Sequence, residues 1–195
     1  MEVVGKMKQQ SGGKGRSNFL KLTLSLLIAN GIRLLRIIPN NDPIMSMALP
    51  FSRRSSVLTS FAFPFVTMVS FDIVTGYVGA WTLVTGITYG LIGISFHYFL
   101  KDKSEVGIKT YLGCGILGVL VFDFITGVLA TPLMFPPMTF ETALIGQIPF
   151  TIMHLLTTSV FILIITPLLD KQVLLNPKLD DSKVRMLFSR LSVRA

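Results

Sequence analysis

Charged side chains are scarce in this sequence: only 14% of its 195 residues are Asp, Glu, Lys or Arg. Two stretches, residues 73–100 and 142–169, carry no such side chain, and each is 28 residues long. About 20 consecutive apolar residues in a helix cross the roughly 30 Å hydrocarbon core of a bilayer. With 51% hydrophobic residues and a mean hydropathy of +0.66, the composition excludes an ordinary soluble domain and predicts an all-α integral membrane protein.

Cysteine is nearly absent as well. The single Cys114 excludes a disulfide within the chain. The chain length predicts one compact bundle with short tails and leaves no room for a second domain. The net charge of +8 arises from 18 Lys and Arg against 10 Asp and Glu. In so apolar a chain, we interpret this excess as a marker of the cytoplasmic side of a membrane, and we expect no nucleic-acid partner.

The apolar segments predict a six-transmembrane-helix bundle with a short second helix, spanning residues 19–169. The segments run over residues 19–38, 43–51, 57–75, 78–100, 108–130 and 139–169. Nine helical residues rise only about 13 Å, so the second segment is either a re-entrant turn or a short helix extended by its polar flanks. The Gly-rich, basic residues 1–18 predict a disordered tail, and residues 170–195 form a second basic tail.

The distribution of positive charge favours six crossings over five. With six, all of the 18 basic residues except Arg33 and Arg36 lie on one side of the membrane. With five, residues 101–109 or the C-terminal tail would face outward, against the positive-inside rule. We therefore expect a multi-pass protein of the plasma membrane with both termini in the cytoplasm. The outer loops are then residues 39–42, 76–79 and 131–138, which contain no Lys or Arg.

One six-residue frame occurs twice, as F-D-I-V-T-G at residues 71–76 and as F-D-F-I-T-G at residues 122–127. In a helix the Asp, Thr and Gly of each frame stand at i, i+3 and i+4, on one face. The predicted topology places both aspartates at a similar depth near the outer surface. An unpaired carboxylate in hydrocarbon is costly. We therefore expect Asp72 and Asp123 to pair with Arg33 and Arg36, which share a face of the first segment.

Two interpretations of these residues stay open. In the structural one, two buried Arg–Asp pairs lock the bundle, the threonines complete the hydrogen bonding, and each glycine allows close helix contact. In the functional one, they belong to a pocket open to the outside, because other polar residues concentrate at the same level. The candidate binding residues are Arg36, Asn41, Asp72, Thr75, Tyr77, Trp81, Asp123, Thr126, Gln147 and His154.

Within this candidate set, Tyr77 and Trp81 are one helical turn apart. They are either aromatics of the membrane interface or rings that stack on a flat ligand. Gln147 and Asn41 would then form hydrogen bonds with the edges of such a ligand. His154 is either a ligand contact or a hydrogen-bonding residue between helices.

The stretch R-L-L-R-I-I-P-N-N-D-P-I-M-S-M-A-L-P-F, residues 33–51, resembles the first helix, first outer loop and short second helix of a known family. T-M-V-S-F-D-I-V-T-G, residues 67–76, resembles the third helix of the same proteins. They are the S components, or substrate-capturing subunits, of energy-coupling factor (ECF) transporters, and the resemblance covers about residues 32–169. It implies a six-helix bundle that captures a vitamin, a vitamin precursor or a metal ion from outside. The bundle would then tilt within a module of one transmembrane coupling subunit and two ATPase subunits, and release its substrate inside.

The resemblance also implies a coupling surface of small residues spaced by four on the first helix. Ser25 and Ala29 match this spacing, and Arg33 takes the next position. The absence of an N-terminal histidine cluster argues against nickel or cobalt, so a small organic micronutrient is expected, with no metal, cofactor or catalytic residue. A non-catalytic scaffold subunit is the main alternative. An intramembrane aspartyl-type enzyme is a weaker one, because the sequence lacks the G-x-G-D and Y-D motifs of that family.

Overall fold

The computed structural model describes residues 19–36 and 40–174, and within these ranges the chain is helical without any strand. The tail predicted at residues 1–18 lies outside the described residues, as does the part of the tail predicted at residues 170–195 that begins at residue 175. Residues 170–173 continue the last helix instead.

Seven α-helices and two π-helical stretches account for most of the described chain. The π-helical stretches are Phe124–Ala130 and Leu168–Val173. The α-helices are α1 (Phe19–Leu35), α2 (Ile44–Arg54), α3 (Val57–Thr75), α4 (Ala80–Leu100), α5 (Ile108–Asp123), α6 (Thr131–Met134) and α7 (Phe140–Pro167). α5, the first π-helical stretch and α6 follow one another without a break, as do α7 and the second stretch.

Local sequence signals explain where the long helices begin and end. The Ser56 hydroxyl accepts a hydrogen bond from the Thr59 amide at 3.2 Å, and Thr139 caps α7 in the same way through the Thr142 amide. Gly76 ends α3 with a φ of 77°, a left-handed conformation that glycine adopts without strain. The limits of α3 are those predicted from sequence.

Four helical segments of the described chain are long and apolar enough to span a membrane: Val57–Thr75, Ala80–Leu100, Ile108–Met134 and Phe140–Lys171. Many of their large apolar side chains point away from the bundle. On α7 alone these are Leu144, Ile145, Ile148, Ile152, Leu156, Val160, Leu163 and Ile164. An apolar surface of this extent is consistent with a multi-pass membrane protein. α1 and α2 are shorter, with 17 and 11 residues.

The short helix α2 occupies the centre of the bundle. Its first nine residues, 44–52, are all buried, and the helix contacts α1, α3, α4, α5 and α7. The hydroxyl of Thr166 on α7 donates a hydrogen bond of 2.7 Å to the Ser46 carbonyl. The second segment is therefore a short buried helix, one of the two forms predicted for it.

Basic residues at the C-terminal end of α2 form an ion cluster with Asp170, which is 3% exposed. Arg53 Nη1 lies 2.9 Å from Asp170 Oδ2, and Arg54 Nε contacts the other carboxylate oxygen. The Tyr111 hydroxyl donates to the same carboxylate at 3.1 Å. This Asp170 cluster ties α2, α5 and the end of the last helix together at one end of the bundle.

Candidate functional site

A cavity of about 670 Å³ lies at the end of the bundle opposite the Asp170 cluster. There the C-terminal ends of α1 and α3 meet the first π-helical stretch and the N-terminal halves of α4 and α7. Neighbouring helices joined by short loops are antiparallel, which brings these parts to one end. The lining residues are Arg33, Arg36, Asn40, Asn41, Asp42, Met68, Phe71, Trp81, Thr85, Tyr89, Phe122, Thr126, Gly127, Thr131, Gln147, Phe150 and His154.

Two guanidinium groups line the cavity from the end of α1. The Arg33 guanidinium lies over the Phe71 ring, 3.9 Å from its centroid, and its Nη1 is 3.3 Å from the sulfur of Met68. Arg36 is exposed, with a φ of 48°. Among the described residues, neither arginine has a carboxylate within salt-bridge distance. The cavity therefore carries positive charge that these residues do not neutralise by direct contact.

Asp42 also lines the cavity, but donors of the protein occupy both of its carboxylate oxygens. The Ile44 amide donates to Oδ1 at 2.9 Å, at the start of α2. The Tyr89 hydroxyl of α4 donates to Oδ2. Asp42 therefore anchors the loop before α2 to α4.

The preceding asparagines hold the same loop in place. Asn41 Nδ2 donates to the Ile32 carbonyl at 2.6 Å, and Asn40 Nδ2 donates to the Phe150 carbonyl at 3.0 Å. The Asn40 carbonyl in turn accepts a hydrogen bond of 2.9 Å from the Thr157 hydroxyl. These hydrogen bonds between side chains and main-chain carbonyls tie α1 and α7 to the loop. They therefore hold one wall of the cavity in place.

His154 and Asp123 form a buried pair at the cavity. His154 Nδ1 lies 2.9 Å from Asp123 Oδ1, and the two side chains are 3% and 2% exposed. The other polar atoms of the pair, His154 Nε2 and Asp123 Oδ2, are buried without a hydrogen-bond partner in the described chain. Because His154 lines the cavity, this pair lies in the cavity wall, and a buried polar group costs free energy until it is paired.

Aromatic rings make up much of the remaining wall. Tyr89 and Phe122 have ring centroids 4.1 Å apart, and Phe122 and Phe150 both meet the His154 ring edge-on, at 6.0 and 5.9 Å. Trp81, the only tryptophan in the sequence, also lines the cavity. Rings in this number give the cavity flat, apolar surfaces between its polar groups.

The first π-helical stretch brings Gly127 directly against Gln147 of α7. A Cβ atom at position 127 would lie 1.9 Å from the Gln147 side-chain oxygen. Gln147 Nε2 is 3.3 Å from the Thr151 hydroxyl, one turn further along α7. Glycine therefore leaves room for the Gln147 carboxamide, because a side chain at this position would displace the flexible end of Gln147.

The structure brings together seven of the ten binding residues predicted from sequence. Six of them line the cavity, and the seventh pairs with a lining residue. Arg36, Asn41, Trp81, Thr126, Gln147 and His154 line it, and Asp123 lies behind His154.

The predicted pairing of the two aspartates with the two arginines differs from the observed contacts. Asp123 pairs with His154, and Asp72 Oδ2 accepts a hydrogen bond of 2.6 Å from the Thr82 hydroxyl. Sequence spacing placed the four charged residues at one depth but did not determine which way each helix face turns. The two carboxylates instead contact a threonine and a histidine on adjacent helices.

Three candidates, Asp72, Thr75 and Tyr77, do not line the cavity. Thr75 donates to the Phe71 carbonyl within its own helix at 2.9 Å. Tyr77 is 72% exposed, because it lies in the turn between α3 and α4 and not on a helix. Its expected stacking with a ligand beside Trp81 is therefore not supported by its position, whereas the alternative of an interfacial aromatic agrees with its exposure.

The proposed coupling residues Ser25 and Ala29 are both buried. Ala29 packs in an apolar cluster with Phe51 and Phe63. In this conformation they face the bundle, so contact with a coupling subunit would require α1 to move. Their role stays a prediction.

Several lining residues were not among the candidates, above all Tyr89, Phe71 and Phe122. A signal for Tyr89 was present, because Trp81, Thr85 and Tyr89 recur every four residues and share one helix face. Phe71 and Phe122 are the first residues of the two repeated frames. The candidate set contains the aspartates that follow these two residues, but not the aromatic residues themselves.

No protein-family model, no curated protein and no solved structure matches this chain.

Proposed function

We propose that this protein is the substrate-binding membrane subunit of an ECF-type importer, which captures a vitamin or similar small organic micronutrient from outside the cell. The observation that carries the proposal is the cavity of about 670 Å³ with two arginines that have no carboxylate partner among the described residues. Its volume falls within the roughly 300–1,000 Å³ of small-molecule sites. The resemblance of residues 32–169 to S components supports the same function.

The proposed membrane arrangement has six crossings. α1, α2, α3, α4, the continuous segment 108–134 and the continuous segment 140–173 would each cross or enter the bilayer, with α2 enclosed by the others. The cavity would then open to the outside and the Asp170 cluster would lie at the cytoplasmic face. The concentration of basic residues near that cluster supports this orientation.

The polar content of the cavity favours a binding protein over a scaffold. A scaffold gains nothing from a buried imidazole nitrogen that has no partner in the described chain, since such a group lowers stability by about 1–3 kcal/mol. In a binding protein a donor of the substrate would pair with this nitrogen. The aspartates do not support the alternative of an aspartyl-type enzyme either, because Asp72 and Asp123 bond to different helices, and such enzymes use two carboxylates that share a proton.

In the proposed transport cycle this subunit binds substrate and the ATPases supply the energy. A transmembrane coupling subunit and two ATPase subunits are therefore expected as partners, together with membrane lipid. We expect the bundle itself to contain no catalytic residue and no metal or cofactor.

Native mass spectrometry of the protein, extracted gently from its own membranes, tests this function. We expect a bound small molecule, and a fraction of the protein in complex with coupling and ATPase subunits. Thr131→Phe should abolish the bound mass, because Thr131 lines the cavity and the new ring would enter it. Leu133→Phe is the matched control, because Leu133 lies two residues away and is 74% exposed.

Retention of the small molecule by Thr131→Phe would show that it binds elsewhere. A chain without bound molecule or partners, and without thermal stabilisation by any mixture of vitamins, would refute the transport function. A ligand that binds the folded state must raise its stability by RT ln(1 + [L]/Kd). That result would favour the scaffold alternative.

A further inference from the structure

We propose that the substrate of this cavity is an aromatic or heteroaromatic anion that also carries a hydrogen-bond donor on its ring system. This inference rests on the proposed function, and specifies the substrate class for it. It follows from three features of the cavity: its cations, its rings and its unsatisfied imidazole.

The negative group is inferred from the imbalance between the charged residues of the cavity. Arg33 and Arg36 have no carboxylate partner among the described residues, whereas both oxygens of Asp42 accept hydrogen bonds from the protein. The carboxylate of Asp123 lies behind His154 and pairs with it. A carboxylate or phosphate of the substrate would therefore meet guanidinium donors without a competing acid in direct contact with them. Guanidinium groups bind such anions with two parallel hydrogen bonds.

The position of Arg33 strengthens this argument. Its guanidinium is held over the Phe71 ring and against the Met68 sulfur, which are weak partners for a cation. These contacts orient the group without using most of its five N–H donors. Arg33 is therefore fixed in place at the cavity with donors left for an anion.

The ring system is inferred from the aromatic walls. Phe71, Trp81, Tyr89, Phe122 and Phe150 come from four different elements and all line the same volume. Offset stacking or edge-to-face contact with a flat ligand is worth about 0.5–1.5 kcal/mol for each ring beyond the area that it buries. An aliphatic substrate would bury the same area without this gain.

The hydrogen-bond donor is inferred from His154. An ionised carboxylate only accepts hydrogen bonds, so an imidazole that donates to Asp123 across the 2.9 Å contact carries its proton on Nδ1. In the neutral ring Nε2 is then an acceptor with a free lone pair. It is buried, unsatisfied and part of a side chain that lines the cavity. An N–H or O–H of the substrate would satisfy it.

The fluorescence of Trp81 offers a direct test, since no other tryptophan contributes to the signal. Quenching titrations would compare three probes with one ring each: 4-aminobenzoate, 4-aminobenzamide and benzoate. The amide removes the negative charge, and benzoate removes the hydrogen-bond donor on the ring. We expect 4-aminobenzoate to bind on the order of tenfold more tightly than the amide and several-fold more tightly than benzoate.

Variants assign each difference to a residue. Arg33→Gln should remove the preference for the acid over the amide, and His154→Gln should remove the preference for 4-aminobenzoate over benzoate. Gln keeps an N–H that can reach Asp123, so the second variant does not leave that carboxylate without a donor. Lys101→Gln is the control for Arg33, because Lys101 also lies over an aromatic ring, that of Tyr98, outside the cavity.

Equal affinity for the acid and the amide would overturn the proposed substrate class, as would a preference that survives in Arg33→Gln. Absence of quenching by all three probes at millimolar concentrations would overturn it too. Native mass spectrometry separates this failure from failure of the transport function. A neutral or aliphatic bound molecule in complex with ATPase partners would refute the aromatic anion and leave the importer standing. A bound aromatic acid without such partners would support the aromatic anion and refute the importer.

Discussion

The two F-D-x-x-T-G frames have the same letters at four positions and occupy different environments. In the first, Asp72 is partly exposed, bonds to Thr82 across the turn from α3 to α4, and lies outside the cavity. In the second, Asp123 is 1% exposed and pairs with His154 at the cavity. The first frame closes a helix turn, whereas the second contributes to the wall of the cavity.

The glycines show the same divergence. Gly76 ends α3 in a left-handed conformation, so its role is conformational. Gly127 lies within a continuous helical segment, and its role is to leave space for Gln147. A shared motif thus reports shared local geometry around the aspartate, while the residues that follow it decide whether the helix stops or continues.

Removal of the carboxylates should produce the largest difference between the frames. Asp123→Ala leaves the buried Nδ1–H of His154 without an acceptor, which costs about 1–3 kcal/mol of unfolding free energy. It should also weaken ligand binding, because nothing then fixes the imidazole. Asp72→Ala should cost about 1 kcal/mol or less and leave binding unchanged. Denaturation in mixed micelles and Trp81 quenching measure the two effects separately. Equal loss of binding in both variants would place Asp72 at the site as well.

Replacement of the two glycines should give the next largest difference. The change in the second frame should affect binding, whereas the change in the first should affect stability alone. Gly127→Ala forces the Gln147 carboxamide away from its position, so we expect weaker binding at a stability cost of about 1–3 kcal/mol. Gly76→Ala introduces a side chain at a positive φ and should cost about 1 kcal/mol without any change in affinity. Thermal unfolding and ligand titration of both variants check this. Normal affinity in Gly127→Ala would mean that Gln147 does not contact the substrate.

The threonines should give the smallest contrast. Thr75 and Thr126 each donate to the carbonyl four residues earlier, at 2.9 and 2.8 Å. Replacement of either by Val, which has nearly the same shape, should cost a similar amount, about 0.5–1.5 kcal/mol. Only Thr126 lines the cavity, so only Thr126→Val should change the affinity, by a few-fold. A matching change in Thr75→Val would indicate an indirect effect through α3.

The sequence was sufficient to predict the all-helical fold and the limits of α3, because capping residues and charge-free stretches are local signals. It also placed most of the candidate residues at the end of the bundle where the cavity lies, since the alternation of helix direction follows from short loops. The π-helical stretches were not predictable in this way. They shift the helix register by an extra residue per turn, and the first of them contacts α7, a tertiary contact that local sequence does not determine.

Interhelical partners were the least predictable feature. Asp123 was assigned to an arginine on the basis of charge and depth, but the face of α5 that carries it turns toward His154 on α7. Tyr77 was placed one turn before Trp81 on a helix that in fact begins only at Ala80. In both cases the phase of the helix or its starting residue determined which side chains meet.

The short length of α2 explains why the cavity exists at all. Eleven residues rise about 16 Å, while the 21 residues of the neighbouring α4 rise about 31 Å. The column at the centre of the bundle is therefore only half filled by helix, and Asn41 and Asp42 lie at the boundary between its filled and empty halves. The depth of the cavity therefore depends directly on the length of the central helix, and a shorter α2 leaves a deeper cavity. Each turn inserted after Asp42 would shorten the vacant column by about 5 Å, so substrates of different size could be accommodated by one indel, with the surrounding helices unchanged.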